Sequence, residues 1–332
     1  MHFFTRSIAA ATFSLAALGV QAEALSIEGG GAASLTGILP QSMAPYVAKE
    51  GINLQVVTGQ SLTKSVMKVA LGRLDLSVAP PPALSAMKKG VGPYKRNAEQ
   101  AQKAASNIRT LFGFVASGMH PIVWADSDIK SWKDIKGKRV FLGPPAGAAA
   151  GQSTGMIELA SGYKAGKDFE GVKLPWGAAT QGFQDGQFDV YVGFYPVGSQ
   201  TLNELSLQRS IRILPISDEI IQSPEWTAYT DSQVTGVINI PANTYSGVVN
   251  GDQDIKTAST LMTIITNKDL SDELAYKITK SFWENLPEMK KANSLMTPID
   301  QDHPFTGVNT PLHPGAIRYY QEAGFTIPEQ LK

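Results

Sequence analysis

The chain has no cysteine. Disulfides and thiolate metal sites are therefore excluded, and stability must come from a packed core. Histidine is scarce, with four residues, and no metal-ligand spacing links His120, His303 and His313. Charge bias is also missing, because 29 basic residues stand against 29 acidic ones. A nucleic-acid partner needs a basic face, so that class is excluded. Past the N-terminal segment, no apolar run approaches the roughly 20 residues that cross a bilayer. No internal repeat and no low-complexity tail is present. Neither a cofactor nor a metal is expected.

The N-terminal segment reads as a targeting signal. Arg6 is its only fixed charge, the apolar run Ile8–Val20 follows, and Val20-Gln21-Ala22 fits a small-x-small cleavage site. This predicts a cleaved signal peptide over residues 1–22, cut after Ala22 or else Ala24, and a mature chain in the periplasm. The run is short for a transmembrane anchor. Removing it takes away Arg6 and no acid, which leaves a net charge of −1. About 310 residues then bury an ample core, but that length is near the limit for one core, so two lobes are expected.

What is present is organised around Val140–Gly155. A short apolar strand, Val140–Leu142, enters the loop Gly143-Pro144-Pro145-Ala146-Gly147, and Ala148–Ala160 reads as a helix. The first N–H groups of such a helix lack partners and, with the helix dipole, favour a carboxylate or phosphate. Leu25–Ile27 leads in the same way into Gly29-Gly30-Gly31-Ala32-Ala33-Ser34, and Leu54–Val57 into Thr58-Gly59-Gln60-Ser61. Three such helix starts, far apart in sequence, predict one cleft between two lobes.

The rest alternates strand and helix, which predicts parallel sheets with helices on both faces. Helices are expected over Leu35–Glu50, Ser61–Leu71, Ala83–Lys89, Thr180–Asp185 and Gly198–Ser206, and strands over Asp75–Val78, Ile108–Val115, Ile122–Ala125, Phe169–Leu174, Asp189–Val192 and Ile211–Pro215. Pro93–Asn107 reads as a surface loop or exposed helix. Gln233–Asn239 reads as extended, Ala258–Thr266 as a buried strand, and Gly315–Ala323 as a final helix. Ser271–Asn285 reads as a helix that ends before Pro287.

At this point the residues resemble the TAXI-type solute receptors of TRAP transporters. The resemblance rests on Gly29-Gly30-Gly31, Thr58-Gly59-Gln60-Ser61, Gly72-Arg73-Leu74-Asp75-Leu76, Asp134–Val140 with Gly143–Gly147, Asp185-Gly186-Gln187-Phe188-Asp189-Val190, and Ile240–Tyr245. Most specific is the ten-residue run Pro311-Leu312-His313-Pro314-Gly315-Ala316-Ile317-Arg318-Tyr319-Tyr320. It implies a two-lobed, type II-like periplasmic binding protein, each lobe a doubly wound α/β sheet. The expected division is lobe one over 23–115 and 240–332, and lobe two over 116–239, with crossings near Phe114–Gly118 and Val237–Tyr245. It implies a monomeric receptor, not an enzyme, that delivers a small organic anion (a dicarboxylate, amino acid or related acid) to a TRAP membrane permease. A periplasmic sensor engaging a receptor kinase is the alternative.

The candidate ligand-binding residues are Gly30, Gly31 and Ser34 at the first helix start, and Thr58, Gln60, Ser61 and Lys64 at the second. Pro80 and Pro81 end the third strand, and Gly143, Ala146, Gly147 and Ala148 form the central loop. Trp176, Phe194 and Tyr195 are candidates for the cleft wall, with Phe114. The chain departs from the family pattern at Gln60, Lys64 and Pro80-Pro81, and Ala146 and Ala148 stand where the family has hydroxyls. Ser61 is expected both to cap its helix and to face ligand. Lys64 is expected to neutralise an acidic ligand or to be a solvated surface charge. Gly151-Gln152-Ser153-Thr154-Gly155 matches a serine-hydrolase motif but falls within a helix, so it is read as accidental. Gly29–Ser34 is a partial dinucleotide-loop match that fails at Ser34.

Overall fold

Two long strands run through the middle of the molecule and carry its two halves. In the computed structural model, residues 23–145 and 147–332 are described. The first half comprises β1 (Glu23–Glu28), α1 (Leu35–Lys49), β2 (Ile52–Val57), α2 (Leu62–Ala70), β3 (Leu76–Ala79), α3 (Pro81–Lys89), α4 (Ala98–Ala105) and β4 (Ile108–Trp124). There follow β5 (Arg139–Gly143), α5 (Ala149–Ser161), β6 (Glu170–Lys173), α6 (Trp176–Gln184), β7 (Val190–Tyr195), α7 (Gln200–Gln208), β8 (Ile211–Ile213), α8 (Asp218–Ile221), α9 (Pro224–Gln233) and β9 (Val237–Ile240). The chain closes with β10 (Ile255–Asn267), α10 (Asp272–Ala292) and α11 (Pro314–Glu322).

The strand order is β2-β1-β3-β10-β4-β7-β5-β6, with β8 beside β4 and β9 beside β10. The outer triplets β2-β1-β3 and β7-β5-β6 are parallel, as the strand–helix alternation requires. Antiparallel pairing joins them through β10 and β4, which lie side by side from Ile108–Gly118 against Ser259–Asn267. The sequence expectation of two strands, Ile108–Val115 and Ile122–Ala125, thus becomes one strand of 17 residues. Nothing between them breaks the pairing, since β4 exchanges β10 for β7 at Gly118 without ending. A register shift between Thr260 and Leu261 bends β10 near the same level.

In each half, the sheet's chain order reverses beside its first strand. β1 lies between β2 and β3, and β5 between β6 and β7. Loops leaving such strands diverge to opposite faces and open a crevice, the usual ligand position in open α/β sheets.

Four apolar clusters flank the sheet, two per half. Leu25, Ile27, Phe112, Phe282 and Trp283 belong to one, and Val66, Leu84, Met87 and Ile265 to the second. Val140, Met156, Val192 and Trp226 belong to the third, and Phe141, Phe183, Tyr191, Tyr245 and Val248 to the fourth. Ile240, Tyr245, Val248 and Ile255 therefore pack with β7 and α6, and β10 reaches the first half's cores from Met262 onward.

Three expectations are revised. Helix α10 does not stop before Pro287 but continues to Ala292. A proline inside a helix costs about 3 kcal/mol, yet Leu286 and Met289 are each 1 % exposed, and their burial offsets that cost at roughly 1.5–3 kcal/mol apiece. Residues 93–107 form a 3₁₀ turn and then α4, whose Ala101, Ala104 and Ala105 are buried. Helices α8 and α9 fill a stretch ahead of Gln233 for which no helix is expected, and Gln233 itself ends α9.

Candidate functional site

The loop after β1 is shaped by a proline two turns away. Pro40 lies inside α1 and has no N–H, so the carbonyl of Thr36 loses its helical donor. That carbonyl accepts the Gly30 N–H instead, at 3.2 Å. The fit leaves no room for a side chain: a Cβ on Gly30 would lie 2.3 Å from Thr36 Oγ1. The carbonyls of Gly30 and Gly29 in turn accept the N–H groups of Gly59 (2.7 Å) and Gln60 (3.1 Å). The starts of α1 and α2 are thereby fixed side by side. On the other half, the loop after β5 turns at Gly147, whose φ is +143°, before α5 begins.

These starts converge on a cavity of about 650 Å³ between the two halves. The residues in front of α1, α2, α5 and α6 all line it, and none of them caps its helix with a side chain. Ser34 Oγ bonds Gly31 O and Thr36 Oγ1 instead, each at 2.7 Å. The expected Ser61 cap is likewise absent, although Ser61 occupies the N-cap position. Uncapped first turns leave their N–H groups free for a ligand's oxygen atoms.

An aromatic wall is built on β7 and on the start of α6 itself. Trp176 and Phe194 meet edge to face at 5.1 Å, and the Tyr191 and Tyr195 hydroxyls lie 3.1 Å apart. Burial pushes the Tyr191 phenol well above its ordinary pKa, so it stays neutral. The floor comes from the central strands: Ser117 of β4 and Thr260 of β10, which bond each other, and Met262. None of the described lining residues is charged.

Of the candidates from sequence, the structure brings Gly30, Gly31, Ser34, Gln60, Ser61, Pro80, Gly147, Ala148, Trp176, Phe194 and Tyr195 to this cavity. It places Thr58, Lys64, Pro81 and Gly143 outside the lining. Lys64 is exposed on α2. Pro81 and Pro82 open α3 and offer no N–H. Phe114 is 1 % exposed and packs in the core near Phe112. Ala146, and the signal segment 1–22, lie outside the described residues.

Lining residues not anticipated include Thr36, Thr63, Gln152 and Thr180. Thr36 and Thr63 stand two places after the candidates Ser34 and Ser61, a signal that was readable. Ser117 and Thr260 carry none, because only the pairing of distant strands brings them together.

Behind the wall, His120 is fully buried on β4. Its Nδ1 donates to Gly118 O at 2.9 Å, which leaves Nε2 to accept from Tyr245 at 3.0 Å. Burial lowers its pKa to about 4. Tyr245 also accepts the Gly198 N–H at 3.1 Å, which ties β4 to the loop after β7. Ser153 is buried within α5 and forms no strand–turn–helix elbow. His313 caps α11 by accepting the Gly315 N–H. Among the described residues, no group of three His, Cys, Asp or Glu could hold a metal ion, and no helix is long and apolar enough to cross a membrane.

Residues 35–324 match the NMT1-like family, and the chain belongs to it. Among solved structures, the chain is similar to a periplasmic sulfonate-binding protein, SsuA, of a putative sulfonate ABC transporter from Methylobacillus flagellatus KT. The identity is 14%, the TM-score is 0.50, and 92% of this chain and 88% of that one are covered. It is also similar to the periplasmic aliphatic sulphonate binding protein SsuA from Escherichia coli (13% identity, 91% and 90% covered, TM-score 0.46). A TRAP periplasmic solute binding protein from Shewanella oneidensis with bound succinate gives 12% identity, 83% and 80% coverage and a TM-score of 0.45. The fold is that of the two-lobed periplasmic binding proteins.

Proposed function

We propose that this NMT1-like chain is an extracytoplasmic solute receptor that closes on a small organic anion and delivers it to a membrane permease. The observation that carries this reading is the convergence of four uncapped helix starts on one cavity between the two halves. Such a site binds an anion through main-chain N–H groups and helix dipoles, and needs no catalytic group.

In this reading the halves are the lobes, and β4 and β10 are the hinge. We place the first crossing at about Ser117 and the return at about Thr260, where the packing changes from one pair of cores to the other. Ligand bridging the lobes shifts the population toward a closed form, which the permease recognises. We assign the permease to the TRAP type on the TAXI-like signatures, above all residues 311–320. Residues 1–22 then serve as the cleaved export signal.

The test is a thermal-shift screen of the mature protein against carboxylates, sulfonates, amino acids and neutral solutes. Binding to the folded state raises the melting temperature by mass action, by about 2.7 kcal/mol of stabilisation at a hundredfold excess over Kd. A shift confined to organic anions is expected. A shift confined to neutral or cationic solutes would overturn the reading.

A further inference from the structure

Resting on the receptor reading, we infer that the ligand is an aromatic monoanion: a ring carrying one carboxylate or sulfonate and no ammonium group. Three independent features of the cavity lead there.

The first is charge. None of the described lining residues is an acid, so an α-ammonium group would be desolvated without a charged partner. The helix starts around it present positive dipole ends, which disfavour a cation further. An amino acid and a quaternary ammonium compound are both poor fits.

The second is the division of the lining. Lobe one offers hydroxyls and main-chain N–H groups around Ser34, Thr36, Ser61 and Thr63, whereas lobe two, beside the α5 start and the Tyr191 and Tyr195 hydroxyls, adds the two large apolar rings Trp176 and Phe194. A ligand satisfying both walls has an anionic head toward α1 and α2 and a flat apolar body toward α6 and β7. At about 650 Å³ the cavity is in the range that holds drug-sized ligands, and a four-carbon dicarboxylate would leave the aromatic wall uncovered.

The third is Trp176 itself. It is 42 % exposed, while Trp132, Trp226 and Trp283 are buried. Among the described residues its aromatic neighbours are Phe194 at 5.1 Å and Phe141 at 5.7 Å, both steeply inclined to it. The exposed part of its ring lines the cavity and is available for a ligand ring to pack on. Gln152, 3 % exposed and lining the same cavity, has no hydrogen bond to its Oε1 among the described residues. It can orient toward a neutral substituent on the ring.

The experiment titrates the dialysed mature protein with benzoate, benzenesulfonate, succinate, phenylalanine and choline, reading calorimetry and tryptophan fluorescence. Benzoate or benzenesulfonate is expected to bind at least tenfold tighter than the other three, with a fluorescence change absent from Trp176→Phe. Trp176→Ala is expected to weaken benzoate at least tenfold while the melting temperature of the free protein stays unchanged. Tighter binding of succinate overturns this inference and leaves the receptor reading intact, and so does tighter binding of phenylalanine. Binding of choline alone overturns both, and so does failure of every anion to bind.

Discussion

Helices α1, α2, α5 and α6 begin at the cavity, and helices α8, α9, α10 and α11 begin elsewhere. The first four have no side-chain cap bond, and the second four all have one: from Ser217, Ser223, Ser271 and His313. Ser61 and Ser271 occupy the same N-cap position, both in the extended region though with ψ of 97° and 144°, and only Ser271 bonds its helix. A cap normally contributes about 1 kcal/mol. The difference teaches that the cleft forgoes local stability at its helix ends and keeps those donors for a guest. Helix α7 stands between the classes, since Thr201 lines the cavity but Ser199 caps the first turn. Helix α3 has prolines at its first two positions and no donors there to cap, and α4 is an exception, uncapped at Asn97 although it begins away from the cavity.

The comparison can be broken first at Gly147. Its φ of +143° strains any side chain, and a Cβ there meets nothing nearer than Thr63 Oγ1 at 4.0 Å. Gly147→Val is expected to cost about 1–3 kcal/mol of stability. It should also weaken ligand binding at least about 100-fold, or about 2.7 kcal/mol. Calorimetry and urea unfolding check both; unchanged affinity would remove the loop from the site.

Next in size is the buried histidine behind the aromatic wall. His120 titrates near pH 4 in the fold against 6.5 when unperturbed. As pH falls through that window the unfolded chain takes up a proton that the folded chain refuses. Stability is therefore full above pH 6.5 and is lost toward pH 4, by roughly 3 kcal/mol from this group. His313, also held down by burial, acts in the same direction. Urea midpoints at pH 7 and pH 4.5 should differ less in His120→Gln than in the wild type; equal differences would show that His120 is not the source.

A smaller effect sharpens the contrast directly. Ser271→Ala is expected to lose about 1 kcal/mol of stability with no change in ligand affinity. Ser61→Ala should do the reverse, with stability within about 0.5 kcal/mol of wild type and affinity about tenfold weaker, or about 1.4 kcal/mol. Equal stability losses in the two variants would erase the distinction between the two classes of helix start.

The sequence disclosed the three glycine-rich helix starts because glycine after a strand has few other uses, and Gly30 and Gly147 indeed line the cavity. The fourth start was hidden. Pro175-Trp176-Gly177 reads as a turn, and the helix was expected only from Thr180, whereas α6 begins at Trp176 itself. Helices α8 and α9 offered start signals at Ser217, Ser223 and Pro224, but α9 buries only Trp226 and Tyr229, too few for a visible period. Pro287 misled because local propensity was outweighed by the burial of Leu286 and Met289 on either side of it. The floor was illegible for another reason: Ser117 and Thr260 are 143 residues apart and meet only through the register of β4 on β10.

The most direct test of the account reads the first-turn amides themselves. With ¹⁵N-labelled protein saturated by an anion that shifts the melting temperature, the amide resonances of Leu35, Thr36, Leu62, Thr63, Ala149 and Ala150 should move downfield and exchange more slowly. Those in the first turns of α8 to α11 should stay where they are. Bound anion with no change at the cleft-facing amides would contradict the claim that these uncapped helix starts are the binding groups.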